Sequence, residues 1–213
     1  MEQLHTMKIA ITGHTGGIGK AIAERYEKEG AEILGFSLEN GYDLSVFGVT
    51  SFIAQKIHRE DCDVLFMVSD VEQEKLFTTL FDLWKYKPKD IFCVSGLGRL
   101  FVGDNTITPY PNTSQIKYQT YQTMLKSIAV NDFSTDEDVK STQSQERLCR
   151  VMNITPGWVW VERQQNNKHA FSNRFELRED QCLSIDELVD QIYYIQQMPR
   201  NIEIFDMVLS KFR

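Results

Sequence analysis

The stretch ITGHTGGIGKAIA, residues 11–23, packs Gly13, Gly16, Gly17 and Gly19 into seven positions, between an apolar run and a helical pattern. Glycine weakens regular structure by roughly 0.5–1 kcal/mol relative to alanine, so a cluster of four answers a local requirement. A strand-to-helix turn with this composition lets backbone N–H groups approach an anion closely, and the helix N-terminus behind them favours negative charge. The chemistry offered is recognition of a diphosphate. The other reactive types are scattered. Cys62, Cys93, Cys149 and Cys182 form no C-x-x-C pair, and His5, His14, His58 and His169 do not cluster, so no metal-ligand spacing is present. Cys93 within an apolar run and Cys149 beside one read as buried free thiols.

Such a loop needs a strand before it and a helix after it, and the sequence supplies both. MKIAIT (7–12) reads as a buried strand and KAIAERYEKEG (20–30) as a helix closed by Gly30. The alternation continues. AEILGF (31–36), DVLFMV (63–68), DIFCVSG (90–96), CRVMNIT (149–155) and IEIFDMVLS (202–210) read as strands. Residues 45–58, 71–86, 118–130 and 184–198 read as helices, the last opened by Ser184 and Glu187 in capping-box spacing. Leu97 to about Lys117 and Glu162 to Gln181 are expected to be loops, and 131–148 a frayed helix. Nearly all-apolar strands alternating with helices belong to a parallel sheet covered on both faces. The expected fold is α/β: a doubly wound, Rossmann-type sheet in a three-layer α/β/α sandwich, built as one domain over residues 1–213. Leu76, Phe77, Leu80, Phe81 and Trp84 recur on one side of the third helix, where they face the sheet or, in a second reading, a partner.

Composition narrows the partners. The chain has 213 residues, a net charge of −7 and an isoelectric point near 5.2. An acidic chain is a poor match for a nucleic-acid backbone. No apolar stretch approaches the roughly 20 residues that cross a bilayer. The opening MEQLHTMKIA lacks the pattern of a secretory signal, so a reducing, cytoplasmic setting is expected.

Thr12, Gly13, Gly17, Ile18 and Gly19 fit T-G-x-x-x-G-I-G, and in this form the motif resembles that of the short-chain dehydrogenase/reductase family. Two further stretches resemble the family in order: GYDLS, with Asp43 where members place an acid against adenine, and NITPGWV, similar to the N-x-x-P-G segment bordering the nicotinamide. The resemblance covers nearly the whole chain. It implies an NAD(P)-binding protein with Thr12, Gly13, Thr15, Gly17, Ile18, Gly19, Ser37, Asp43, Gln122, Pro156 and Gly157 around the cofactor. At the end of the second strand an acid would pair with a ribose 2′-OH, whereas an arginine would hold a 2′-phosphate. Ser37 stands there, with Glu39 two residues on, which favours NADP over NAD only slightly.

The family moves a hydride between nicotinamide and a carbonyl or alcohol, using a Tyr, a Lys one turn later and a Ser. A free tyrosine titrates near 10, so a proton shuttle at neutral pH needs a cation beside it. The match here is YQTYQ: Tyr118 is kept, and Gln122 stands at the lysine position. Lys126 lies about 12 Å of helix rise from Tyr118. Ser95 matches the first of two serines and Gly96 the second, the catalytic one. MVSD (67–70) stands where the family has N-N-A-G. Trp158 and Trp160 flank the expected nicotinamide pocket as packing residues.

Three readings follow. The chain binds NAD(P)(H) with the standard hydride-transfer chemistry weakened or lost; or it is an active oxidoreductase on a small carbonyl or alcohol, using Tyr118 with Ser95; or it is a non-catalytic structural protein on a relic fold. No metal, nucleic acid or membrane partner is expected. Assembly as a homodimer or homotetramer is what the resemblance implies.

Overall fold

The computed structural model describes residues 6–69, 73–96, 111–132, 147–161 and 179–211; the side chains of 111–118 and 130–132 lie outside that description. The chain alternates as expected. Strand β1 is Lys8–Thr12, helix α1 Gly17–Lys28, β2 Glu32–Phe36, α2 Val49–Arg59, β3 Val64–Met67 and α3 Glu74–Trp84. Then follow β4 Asp90–Val94, α4 Pro111–Asp132, β5 Arg150–Pro156 and a short β6 Val159–Trp160. A short β7 Leu183–Ser184, helix α5 Ile185–Gln196 and β8 Asp206–Leu209 complete it.

Six strands form one parallel sheet in the order β2-β1-β3-β4-β5-β8. The chain steps outward from β1 to β2, then returns to the other side of β1 to lay down β3. That reversal opens a crevice at the carboxyl ends of β1 and β3, where ligands bind in open α/β sheets. Compared with the six-strand order 3-2-1-4-5-6, the sheet stops one strand early on the β2 side. A 3₁₀ turn, Leu38–Asn40, occupies the chain after β2 instead. The Asn40 amide donates to Gly35 O at 2.7 Å, covering one acceptor on the strand left at the edge.

Alternate strand residues feed two cores, because side chains switch faces at each step. Ala10, Leu65, Met67, Ile91 and Val151 pack under α2, α3 and α4, while Ile9, Ile11, Phe66, Phe92 and Ile154 pack under α1 and α5. Leu76, Phe77, Leu80, Phe81 and Trp84 are all buried in the first core, so the face of α3 is spent on the sheet and is not available to a partner. All four cysteines are buried free thiols. Burial pushes the Cys62 thiol up to about 12. Among the described residues no cluster of His, Cys, Asp and Glu could hold a metal, and no helix is long and apolar enough to cross a membrane.

Several element boundaries differ from the sequence reading. Helix α4 begins at Pro111, inside the expected loop; proline suits a first helical position, since its missing N–H would have no partner there. Helix α1 begins at Gly17 rather than Lys20, carrying the last two glycines of the loop into its first turn. The two-residue strands β6 and β7 pair with each other. The expected frayed helix and the loop beyond Trp160 lie largely outside the described residues.

The capping box is formed: Ser184 Oγ accepts from Glu187 N at 3.1 Å, and Glu187 Oε2 accepts from Ser184 N at 2.9 Å. The Ser184 backbone and hydroxyl hold the Glu187 carboxyl below its usual range. The contribution of this ionised carboxylate is therefore complete above the unfolded-state value and is lost as pH falls through the lower folded value. Ser184→Ala is expected to cost about 1 kcal/mol in urea unfolding near neutral pH. An unchanged midpoint would contradict that role for the cap.

At the opposite edge of the sheet from the crevice lies a buried ionic cluster. Arg150 donates to both oxygens of Asp90, Nε to Oδ1 at 2.9 Å and Nη2 to Oδ2 at 2.7 Å. It also donates to the carbonyls of Gln196 and Met198. Arg200 adds a second guanidinium to Asp90 at 2.5 Å.

Candidate functional site

The glycine loop joins β1 to α1 at the reversal point of the sheet. Gly13 holds φ +72°, and its N–H donates to Phe36 O at 2.8 Å, tying the turn to the end of β2. A side chain on Gly13 would meet Ser69 N and Cα at 3.3 Å, so the loop also lies close against the end of β3. Gly17 takes φ +52° at the start of α1. Gly19 is constrained differently: a Cβ there would overlap the Gly13 carbonyl oxygen and sit 2.8 Å from its carbon. Helix and turn approach so closely that only a hydrogen fits. Gly16 caps α1 without any side-chain hydrogen bond, and the first turn holds no acidic residue. The positive end of the helix dipole therefore faces the crevice with no side-chain cap and no acid in its own first turn.

Thr12 is fully buried, and its hydroxyl is used inside the protein. Oγ1 donates to Gln73 Oε1 at 2.7 Å and accepts from Val68 N at 3.0 Å and Ser69 N at 3.3 Å. Gln73 Nε2 in turn donates to Ser69 O at 2.6 Å. Thr12 thus positions the loop, and Gln73 does so with it. Sequence reasoning missed Gln73, although a glutamine at the start of a helix, just after the altered MVSD stretch, was the available signal. The His14 ring lies over Gly35, where any Cβ would collide with it.

Beside the loop is a cavity of about 210 Å³ whose lining includes Gly13, Thr15, Ser37, Glu39, Asp43 and Ser69. The 3₁₀ turn shapes its far wall. Ser37 N donates to Asn40 Oδ1 at 2.7 Å, and Ser37 Oγ reaches Glu39 Oε2 at 3.5 Å. Asp43 accepts from the Ser45 hydroxyl at 2.6 Å and the Ser45 N–H at 2.9 Å. The hydroxyl first, then the N–H, holds its carboxyl below the ordinary range. The glycine-rich backbone, the helix N-terminus and the cavity are contiguous, so the residues present fit a dinucleotide. Thr15 and Ile18 belong to this loop, Thr15 on the cavity wall and Ile18 in the first turn of α1.

The other end of the crevice is arranged around β4, β5 and α4. Pro156 ends β5, and Gly157 N donates to Leu209 O at 2.6 Å, extending the pairing with β8. The following segment swings over the glycine loop, so that a Cβ on Gly17 would meet the Val161 side chain at 3.9 Å. Ser95 is buried, its Oγ 3.2 Å from Ile154 O and 3.1 Å from Thr155 Oγ1. Thr155 continues the network, donating to Asp206 Oδ1 at 3.0 Å. Asn153 Nδ2 lies 2.7 Å from both Thr155 Oγ1 and Asp206 Oδ1, and Tyr121 OH donates to Asp206 Oδ2 at 3.4 Å. At Gly96 a Cβ would meet no described atom within 4 Å. The backbone of Tyr118 is in α4, one turn before the half-buried Gln122, and the Tyr118 side chain lies outside the description. The glycine loop, Ser37 and Asp43 therefore meet in one place; Ser95 sits beneath the other end.

No protein-family model matches the chain, and no curated protein matches it in sequence. Solved structures do match in shape. A 4-hydroxyisoleucine dehydrogenase complexed with NADH is 15% identical, with a TM-score of 0.66, over 96% of this chain and 97% of that one. A small-chain dehydrogenase in complex with NADPH is 14% identical, with a TM-score of 0.66 over 97% of both chains. A β-ketoacyl-[ACP] reductase from Bacteroides thetaiotaomicron is 17% identical, with a TM-score of 0.61, over 96% of this chain and 97% of that one. The chain has the Rossmann-type fold of the short-chain dehydrogenases over almost its whole length.

Proposed function

We propose that this protein is a short-chain dehydrogenase/reductase-like protein that binds NAD(H) or NADP(H) at the Thr12–Gly19 loop, with the usual hydride-transfer chemistry weakened. The observation carrying the first half is Gly19 against the Gly13 carbonyl, with no side-chain cap on the N-terminus of α1. That close packing seats the N-terminus of α1 at the turn, where a pyrophosphate would lie against it. Nicotinamide, when bound, supplies or accepts a hydride. The chain's own part is to bind, orient and move a proton. Tyr118 is the group with a hydroxyl for that proton, but Gln122 brings no positive charge to stabilise a phenolate. Ser95 has hydrogen-bonding partners inside the sheet, and Gly96 has no hydroxyl at all.

On cofactor choice, Ser37 alone leans slightly to NADP. The rest of the lining weighs toward NAD: Glu39 and Asp43 would repel a 2′-phosphate, and no Lys or Arg is among the described lining residues. Calorimetric titration with NADH and NADPH is expected to show saturable binding, tighter for NADH. No binding of either at millimolar concentration would remove the nucleotide reading altogether.

The weakened-chemistry half is tested by restoring groups. A Cβ at Gly96 would meet no described atom within 4 Å, so Gly96→Ser with Gln122→Lys is expected to raise turnover on a panel of small carbonyls at least tenfold, as one well-placed acid–base group does. Tyr118→Phe in that background should abolish the gain. High wild-type turnover, lost in Tyr118→Phe alone, would instead favour the active-oxidoreductase reading.

A further inference from the structure

The crevice is equipped unevenly along its length. At the end beside the glycine loop, the first turn of α1 carries no side-chain cap and no acid of its own, which favours an anion there. The adjoining cavity is lined by polar groups, among them Thr15, Ser69, Glu39 and Asp43. Both bonds from Ser45 to Asp43 fall on Oδ1, leaving Oδ2 to accept from a ligand N–H or O–H. At about 210 Å³ this cavity is smaller than the roughly 300–1,000 Å³ of typical small-molecule sites, so it takes one part of a dinucleotide.

The far end offers less. Ser95 is 4% exposed, and its Oγ lies 3.2 Å from Ile154 O and 3.1 Å from Thr155 Oγ1, in a network that continues to Asp206. Gly96 beside it has no side chain. Gln122 on α4 is a neutral amide, and hydrogen bonds from a charged donor are roughly twice as strong as those from a neutral one. Of Ser95, Gly96, Gln122, Pro156 and Gly157, none carries a charge. The grip therefore falls on the diphosphate and the adenosine, and the nicotinamide adds little to it.

We propose, resting on nucleotide binding at the Thr12–Gly19 loop, that this protein recognises the adenosine 5′-diphosphate moiety and is indifferent to the nicotinamide. The N-terminus of α1 meets the two phosphates, and the carboxylates of the cavity accept from the adenosine. ADP and ADP-ribose are then ligands in their own right. NAD+ and NADH, which differ only in the nicotinamide ring, are held alike, so occupancy follows the supply of adenosine diphosphates rather than their redox state.

Isothermal titration of the full chain with NADH, NAD+, ADP-ribose, ADP, AMP and reduced nicotinamide mononucleotide takes the dinucleotide apart. ADP, ADP-ribose and NAD+ are each expected to bind within tenfold of NADH. AMP, with one phosphate, should bind at least tenfold more weakly than ADP. The mononucleotide, which lacks the adenosine, should show no saturable binding. Gly19→Ala should weaken ADP and NADH alike. NADH binding more than tenfold tighter than ADP, ADP-ribose or NAD+ would overturn the proposal while leaving nucleotide binding intact. So would AMP within tenfold of ADP, saturable binding of the mononucleotide, or a Gly19→Ala loss confined to NADH. No binding of any of the six would remove the nucleotide reading as well.

Discussion

Asp90→Ala is expected to lower unfolding stability by about 3–5 kcal/mol, as removing one member of a buried ion pair does. Asp90 is 1% exposed, and two guanidiniums converge on it. Arg150, itself 4% exposed, would be left with a charge facing an apolar gap and with carbonyls as its remaining partners. The cost comes from stranding that charge rather than from forfeiting attraction alone. Chemical denaturation followed by circular dichroism measures it. A loss below about 1 kcal/mol would place the pair among surface-like contacts of little consequence. Asp90→Asn is the gentler comparison: the amide keeps an acceptor for one guanidinium and should recover part of the loss.

The second large effect is expected at Gly19→Ala. A single added methyl must displace the Gly13 carbonyl, which is backbone and cannot rotate aside as a side chain would. Either α1 moves away from β1 or the turn opens, and both remove the close approach on which anion binding depends. Overpacking of this kind costs about 1–3 kcal/mol, and the same distortion in the binding loop corresponds to roughly a hundredfold loss of NADH affinity. Isothermal titration of the folded variant gives the answer. Affinity within threefold of wild type would mean that the nucleotide, if bound, does not use this turn. Gly16→Ala is the internal control, since a Cβ at Gly16 would meet nothing within 4 Å.

Much of this molecule was legible in its sequence because most of its signals are local. The near-continuous apolar runs Ile9–Ile11, Val64–Met67 and Ile91–Val94 declare strands buried on two faces, and the glycine spacing declares the turn that follows the first. The capping box of α5 was equally local. What escaped depends on partners far along the chain. Thr12 and Gln73 are 61 residues apart, and their bond turns an expected cofactor contact into a brace for the loop. Ser95 and Thr155 are separated by 60 residues, so nothing near IFCVSG tells which way that hydroxyl turns.

The placement of the Asp90 cluster has a wider consequence. It grips the chain where strands β4 and β5 start, while Ser95 and Pro156 stand where they finish, a span of about 17–20 Å at 3.3 Å per residue. Anchorage and the proposed site thus have separate addresses on the same strands. Such a division lets the upper rim change, at Gly96 or Gln122, without endangering the scaffold underneath. It equally lets an experimenter install new groups above while the lower rivets hold.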